Sequence, residues 1–277
     1  MKNNEYEKYH ETAANYDQTR TPVGLEIVLG CFAAAAKPLS DQTILDAGCG
    51  TGSYIKALSD KLGYLHGLEF NENMLNEAQN KLKETPNVRL GPGELPNIPY
   101  DEQSLDGLMF HQVIHHLGDD NSRDEFDQIG KLIEESHRVL RPGGVVVLHT
   151  SSQRQLRDGF WWADLIPEAV ECIAQRFASI EKIEEVLQAS GFHSIGKIVP
   201  LHEVLQGQGY LDPEGPLKKT YRDGDSTWSL VSDDQLNAVM KRVQSMNEQG
   251  TMTAYLEQRE ELRRDVGQAT FVFARKE

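Results

Sequence analysis

Cysteine is scarce: Cys31, Cys49 and Cys172 are the only three in 277 residues. They form no CxxC pair, and an odd count provides no disulfide framework and no thiolate metal site. No metal is expected, and a reducing, cytoplasmic compartment is. Long apolar runs are also missing. No stretch approaches the ~20 residues that cross a bilayer, so no transmembrane segment is expected. The opening MKNNEYEKYHETAANYDQ lacks the apolar centre of a secretory leader. Positive charge is short too: 28 Lys and Arg stand against 43 Asp and Glu, a formal net charge of −15. A chain this acidic repels phosphate backbones, and nucleic acid is not expected as a partner. Internal repeats and low-complexity tracts are absent, and no oligomeric state follows from the sequence.

What is present is an alternation. A helix is expected from Pro22 to about Lys37, with Thr21 as N-cap and Leu25, Val28, Leu29 and Phe32 on one face. A strand over Thr43–Asp46 then runs into a glycine turn, and a helix carrying Ile55, Leu58 and Leu62 follows. Further strands are read at Tyr64–Glu69, Asn87–Leu90, Leu105–Phe110 and Val145–His149. Helices are read from Glu72 and over Arg123–Leu140, the latter stopped by Arg141-Pro142-Gly143-Gly144. Strand–helix repetition at this pace predicts βαβ units with right-handed crossovers. Ligands of such sheets sit at the carboxyl ends of the strands, where strand order switches.

After the fifth strand come a helical pattern through Val170 and a helix over Ser179–Ser190. A sixth strand over Gly196–Val204 follows, weakened by Pro200, then helices at 232–248 and 251–264 and a last strand at Thr270–Ala274. The expected fold is therefore α/β: a Rossmann-like, doubly wound, mostly parallel seven-stranded sheet, with helices on both faces and a helical insertion at about 206–266 before the last strand.

The chemistry concentrates in Ile44-Leu45-Asp46-Ala47-Gly48-Cys49-Gly50-Thr51-Gly52. A strand ends in an acid, glycines follow at every second position, and a helix opens. Glycine permits positive φ and lets backbone approach a ligand with no Cβ between. Glu69 ends the second strand 17 residues after Gly52, near the ~20 expected of an acid that holds a ribose diol. A dinucleotide fingerprint would be GxGxxG around a pyrophosphate. Here the spacing differs, and Asp46 stands where a pyrophosphate would be repelled but an ammonium or sulfonium attracted.

With these residues in view, the chain resembles the class I S-adenosylmethionine-dependent methyltransferases, of the type that includes quinone-biosynthesis and other small-molecule methyltransferases. The resemblance rests on ILDAGCGTG (44–52), GLEFNENML (67–75), GELP (93–96), LDGLMFHQVIHHL (105–117) and RVLRPGGVVVL (138–148). It implies S-adenosyl-L-methionine as cofactor and a small-molecule methyl acceptor. It implies that Asp46, Gly48, Cys49, Gly50 and Gly52 hold the methionine and ribose part, and that Glu69 holds the ribose hydroxyls. Phe70 and Met74 would flank adenine, Phe110 and His111 line the methionine side, and Tyr16 and Arg20 cover the cofactor. The family often has Asp-Ala before the glutamate of the loop after strand three. Pro92 and Gly93 stand there in this chain, so adenine recognition falls to the Gly93-Glu94-Leu95 backbone or to Glu94 itself. The organisation that follows is an N-terminal helical cap (1–40), a cofactor-binding core (41–150) and the remainder (151–277), which carries the 206–266 insertion as a substrate lid.

His111-Gln112-Val113-Ile114-His115 mimics HExxH, but Gln112 replaces the general base and the segment sits at a strand end, so a metalloprotease is not expected. His111, His115 and His149 are instead the candidate general bases. Trp161, Trp162, Tyr210, Tyr221 and Trp228 could form an aromatic lid or ordinary core. Two functional classes stay open: an enzyme methylating a small molecule at O, N or S, quinones and other lipids included, and a non-catalytic cofactor-binding regulator.

Overall fold

A computed structural model describes residues 20–117 and 127–277, and orders seven strands as β3-β2-β1-β4-β5-β7-β6. The strands are β1 (Thr43–Ala47), β2 (Tyr64–Glu69), β3 (Val88–Pro92), β4 (Leu105–His111), β5 (Leu140–Thr150), β6 (Phe192–Ile198) and β7 (Thr270–Lys276). The first five pair in parallel, while β7 runs antiparallel to both β5 and β6. The order reverses between β1 and β4, which makes the carboxyl ends of those two strands the crevice where a ligand is expected.

Helix α1 spans Leu25–Phe32, α2 Ser53–Leu58, α3 Glu72–Leu82 and α4 Asp127–Val139. Both faces of the sheet are covered, and alternate strand residues go to opposite cores. Ile44, Met109, Val145 and Val147 join one buried cluster with Phe32, Ile55 and Phe271. Leu45, Leu108, Phe110, Val146 and Leu148 join the other with Leu132 and Ile183. That two-sided burial explains the near-continuous apolar runs of β4 and β5. At the opposite end of β4, buried Asp106 accepts from Thr43 N at 3.0 Å and pairs with Lys37 and Arg141, each at 3.0 Å.

Boundaries differ from the sequence reading, three of them for visible reasons; the first helix also ends at Phe32, short of Lys37, and β3 is Val88–Pro92, not Asn87–Leu90. Helix α1 starts at Leu25, because Gly24 takes φ 64 and its N–H meets the Glu203 carboxylate, leaving Thr21 and Pro22 outside. The Arg141–Gly144 stretch does not turn the chain. Helix α4 ends at Val139 and β5 begins at Leu140, opposite Leu105, with the glycines accommodated in an irregularity of the ladder. The start read at Arg123 lies outside the described residues. Strand β6 begins at Phe192, directly after Gly191 at φ 87, and ends before Pro200, which has no N–H for a ladder.

The segment after β5 forms α5 (Gln153–Asp158), α6 (Pro167–Ala174) and α7 (Ile180–Ala189). Between β6 and β7 lie α8 (Lys219–Arg222), α9 (Asp233–Glu248) and α10 (Met252–Val266). Ser232 and Gln235 close a capping box at the start of α9. This insertion docks on the segment after β5. Trp161 Nε1 donates to Tyr210 O at 2.5 Å, Tyr255 Oη to Trp161 O at 3.1 Å, and Arg259 to Arg157 O at 2.8 Å.

Candidate active site

The glycine turn is lashed to the end of β2: Gly48 N and Cys49 N both donate to Leu68 O, at 2.8 and 3.0 Å. Gly48, Gly50 and Gly52 take φ of 83, 55 and 74, a region that disfavours other residues. Their surroundings separate their roles. A Cβ on Gly48 would stand 2.6 Å from Val113 Cγ2, and one on Gly52 would stand 2.8 Å from Leu82 Cδ1. One on Gly50 would meet nothing within 4 Å. Packing requires the outer two glycines, whereas the middle one borders open space.

Glu69 faces that space. Its Oε2 accepts from Gly50 N at 2.8 Å and its Oε1 from Asn71 N at 2.7 Å. Burial raises this carboxyl above the usual range, against the backbone N–H groups that hold it down. Asp46, at the end of β1, is buried, and its Oδ1 has no hydrogen-bond partner among the described residues. Burial, with Glu69 adding like-charge repulsion, pushes its carboxyl up to about 8. Phe70 is half exposed beside Glu69. Met74 is buried in the first turn of α3, where the Asn71 side chain caps Asn73 N and Met74 N. In the loop after β3, Gly93 N donates to Glu69 O at 3.1 Å, Leu95 is core and Glu94 is exposed. The Cys49 sulfur points into the core, within 2.8 Å of where a Gly67 Cβ would lie, so Cys49 can serve a ligand through its backbone. Phe110 is likewise fully buried in the sheet. Tyr16 lies outside the described residues.

His111 and His149 end β4 and β5 side by side, paired in register, with Nδ1 atoms 3.4 Å apart. Tyr54 of α2 stacks on His111 with ring centroids 3.5 Å apart and places its hydroxyl 3.3 Å from His149 Nδ1. His149 stacks on Phe271 at 4.2 Å. Burial, helped by the neighbouring Arg20, pushes His149 down to about 3, and burial beside His149 drives His111 well below the usual imidazole range. Both are neutral at pH 7.

Beyond them opens a cavity of about 440 Å³. Its polar wall includes Arg20, Gln112, His115 and Ser151, and its apolar wall includes Phe160, Trp162, Phe177 and Trp228. His115 stacks on Phe177 at 4.2 Å, and its Nδ1 has no partner. Burial, with His116, Arg20 and Arg176 nearby, holds it neutral as well. Arg20 donates from Nε to Gly224 O at 2.8 Å and reaches Asp225 at 3.3 Å, so it ties the chain before α1 to the insertion at the cavity wall. Of the aromatic residues singled out above, Trp162 and Trp228 line the cavity, while Trp161 and Tyr210 are buried and bonded to each other.

Sequence reasoning missed Tyr54, Gln112 and Ser151. Helical periodicity selected Ile55 and Leu58 and passed over Tyr54 on the adjacent face. Gln112 was read only as a failed zincin residue. Its φ of 49 and its place between the strand ends and the cavity come from tertiary structure. No group of three or more potential metal ligands occurs among the described residues.

Comparison with known proteins places this geometry. A methyltransferase-domain family model matches residues 45–148. A demethylmenaquinone methyltransferase of Staphylococcus aureus is 32% identical over 172 residues, 61% of this chain and 67% of that protein. The chain belongs to the class I S-adenosylmethionine-dependent methyltransferases. A relative of the same name from Staphylococcus epidermidis is 35% identical over 115 residues, 40% of this chain and 44% of that protein, so the match spans less than half of its length. Among solved structures, a candidate methyltransferase from an antibiotic biosynthesis pathway of Anabaena variabilis superposes with a TM-score of 0.74. It is 25% identical, with 93% of this chain and 99% of that one covered. The phosphoethanolamine N-methyltransferase 2 of Haemonchus contortus, solved with S-adenosyl-L-methionine, shares the fold: its TM-score is 0.59 at 17% identity, over 98% of this chain and 60% of that one. The sheet of this chain thus has the fold of these methyltransferases.

Proposed function

We propose that the protein is an enzyme that transfers a methyl group from S-adenosylmethionine to a small molecule held in the 440 Å³ cavity. One observation carries the cofactor half of this reading: Asp46 Oδ1 is buried without a partner, next to an open glycine and a strand-end glutamate. A buried carboxyl oxygen without a hydrogen-bond partner costs about 1–3 kcal/mol unless a ligand supplies one. A cationic ligand does so best.

When bound, the cofactor supplies a methyl group on a positively charged sulfur. The residues divide the work around it. Asp46 holds the ligand's positive charge, and the backbone at Gly48, Cys49, Gly50 and Gly52 leaves room for its chain. Glu69 accepts from two ribose hydroxyls, Phe70 and Met74 flank the base, and the Gly93–Leu95 backbone closes its edge. Gln112, Ser151 and His115 orient the acceptor, and of the three candidate histidines His115 is the one on the cavity wall. Positioning at about 3–3.5 Å supplies most of the rate gain. The depressed His111 and His149 are weak bases, so an acceptor that arrives as an anion or a neutral amine suits this site.

The insertion at 206–266 acts as the acceptor lid, the chain before residue 40 caps the cleft, and 41–150 is the cofactor core. The cavity, with Gln112 and Ser151 just past the ends of β4 and β5 and an aromatic wall, favours an enzyme over a non-catalytic regulator. A quinone-type acceptor is supported by the aromatic wall and by the names of the relatives. Three unpaired cysteines suit a cytoplasmic setting.

Release of S-adenosylhomocysteine with a panel of acceptors tests the activity. Leu236→Trp, which fills the cavity from α9, is expected to cut turnover at least tenfold and leave S-adenosylhomocysteine affinity within about twofold. Unchanged turnover with the best acceptor counts against this cavity as the acceptor site.

The raised Asp46 sets a pH dependence. In the unliganded protein its carboxyl is protonated below about 8, and a cationic ligand binds the ionised form. Affinity for S-adenosylmethionine therefore rises with pH between 6 and 8, by at most about tenfold per unit, and levels off above. Calorimetry in buffers of different ionisation heat is expected to show proton release on binding near pH 7. Proton uptake, or a flat profile, contradicts it.

A further inference from the structure

The cluster of half-buried Tyr54 and His111 with buried His149 is not accounted for by cofactor binding or by the acceptor cavity. Tyr54 Oη lies 3.1 Å from both Val23 N and Val23 O. Its one proton goes to the Val23 carbonyl, at 3.1 Å a nearer acceptor than His149 Nδ1 at 3.3 Å. The phenol oxygen then accepts from His149 Nδ1–H, and His149 carries its proton on Nδ1, the position a free imidazole disfavours. The same Nδ1–H faces His111 Nδ1 at 3.4 Å. Two N–H groups cannot point at each other, so His111 Nδ1 is the bare nitrogen and its proton sits on Nε2. The two outer nitrogens, His111 Nε2 and His149 Nε2, are both buried and have no partner among the described residues.

The geometry points to Tyr54 and His149 as positioning residues that lock His111 in one neutral tautomer, presenting Nε2–H as a hydrogen-bond donor to an oxygen of a bound ligand. His111 is then a donor and not the proton acceptor that its place at the strand end first suggests. A buried donor left without a partner disfavours the empty site, and a ligand oxygen satisfies it. The stack of Tyr54 on His111 at 3.5 Å and of Phe271 on His149 at 4.2 Å fixes both ring planes, so the hydrogen-bond direction is set before a ligand arrives. The donor role rests on the proposed ligand cleft; the tautomer assignment does not.

Nitrogen-15 NMR of the histidine-labelled full chain tests it. The wild type is expected to show His149 protonated on Nδ1 and His111 on Nε2. Tyr54→Phe keeps the stack and loses the hydroxyl, and is expected to return His149 to a mixture dominated by Nε2–H. His149 protonated on Nε2 in the wild type overturns the inference, as does a His149 tautomer unmoved by Tyr54→Phe. His111→Phe and circular dichroism check that the cluster can change without unfolding. Adding S-adenosylhomocysteine, which has a carboxylate, or 5′-methylthioadenosine, which lacks one, assigns the oxygen. A shift of His111 Nε2–H with the first alone places it on the cofactor's carboxylate, and a shift with neither counts against a cofactor oxygen as its partner. Absence of binding heat with S-adenosylhomocysteine would sink the cofactor reading while leaving the tautomer result intact, so the two failures are separable.

Discussion

Glu69→Ala is expected to weaken S-adenosylhomocysteine binding roughly 100-fold. A carboxylate accepting two hydroxyl donors contributes about 3 kcal/mol or more, and each 1.4 kcal/mol is a factor of about ten. The loss has a second source. Glu69 also fastens Gly50 N at 2.8 Å and Asn71 N at 2.7 Å, so its removal loosens the glycine turn and the start of α3 together. The fold itself is expected to survive, because burial already disfavours the charged carboxyl. Glu69→Gln keeps an acceptor oxygen and loses the charge, and is expected to fall between wild type and alanine. Calorimetry measures both. A Glu69→Ala protein that binds within threefold of wild type contradicts the assignment of this acid to the ribose.

Gly50→Leu is expected to abolish measurable binding, with at least a 100-fold rise in Kd, while the protein stays folded. The position has φ 55, so a side chain there costs roughly 1–2 kcal/mol. For a chain of this size that is a drop of a few degrees in Tm. No atom of the described residues lies within 4 Å of the added Cβ, so the side chain grows into the space the ligand needs. Gly52→Leu is the contrast. Its Cβ would lie 2.8 Å from Leu82 Cδ1 and 3.2 Å from Ala78 Cβ, so it is expected to destabilise the fold more than Gly50→Leu does. Thermal melts paired with titrations separate the two. Equal losses of stability would mean that Gly50 is structural like its neighbours.

The cofactor half of this chain was legible in one dimension because its signals are local. Strand, acid, alternating glycines and helix lie within Ile44–Leu58, and Glu69 is one crossover away. Those patterns obey backbone sterics, which sequence reports directly. Strand β2 and helix α3 start where periodicity places them, at Tyr64 and Glu72. Helix starts set by tertiary contacts were less visible. Gly24 ends up as the N-cap of α1 because Glu203, far along the chain, meets its N–H. The cavity proposed for the acceptor was the least legible part. Gln112, Ser151, Phe177 and Trp228 come from four separate stretches and share no spacing rule. Arg20 was singled out through family likeness as a cofactor residue. Its bonds to Gly224 and Asp225 place it on the cavity wall, a partnership across some 200 residues that no local pattern announces.

The central claim is that the crevice at the ends of β1 and β2 grips an adenosine with a cationic amino-acid tail. Titrating the wild-type chain with S-adenosylmethionine and, separately, with NAD tests it most directly. Saturable one-to-one heat is predicted with the first, with no response to the second. Heat with NAD alone, or with neither, would contradict it.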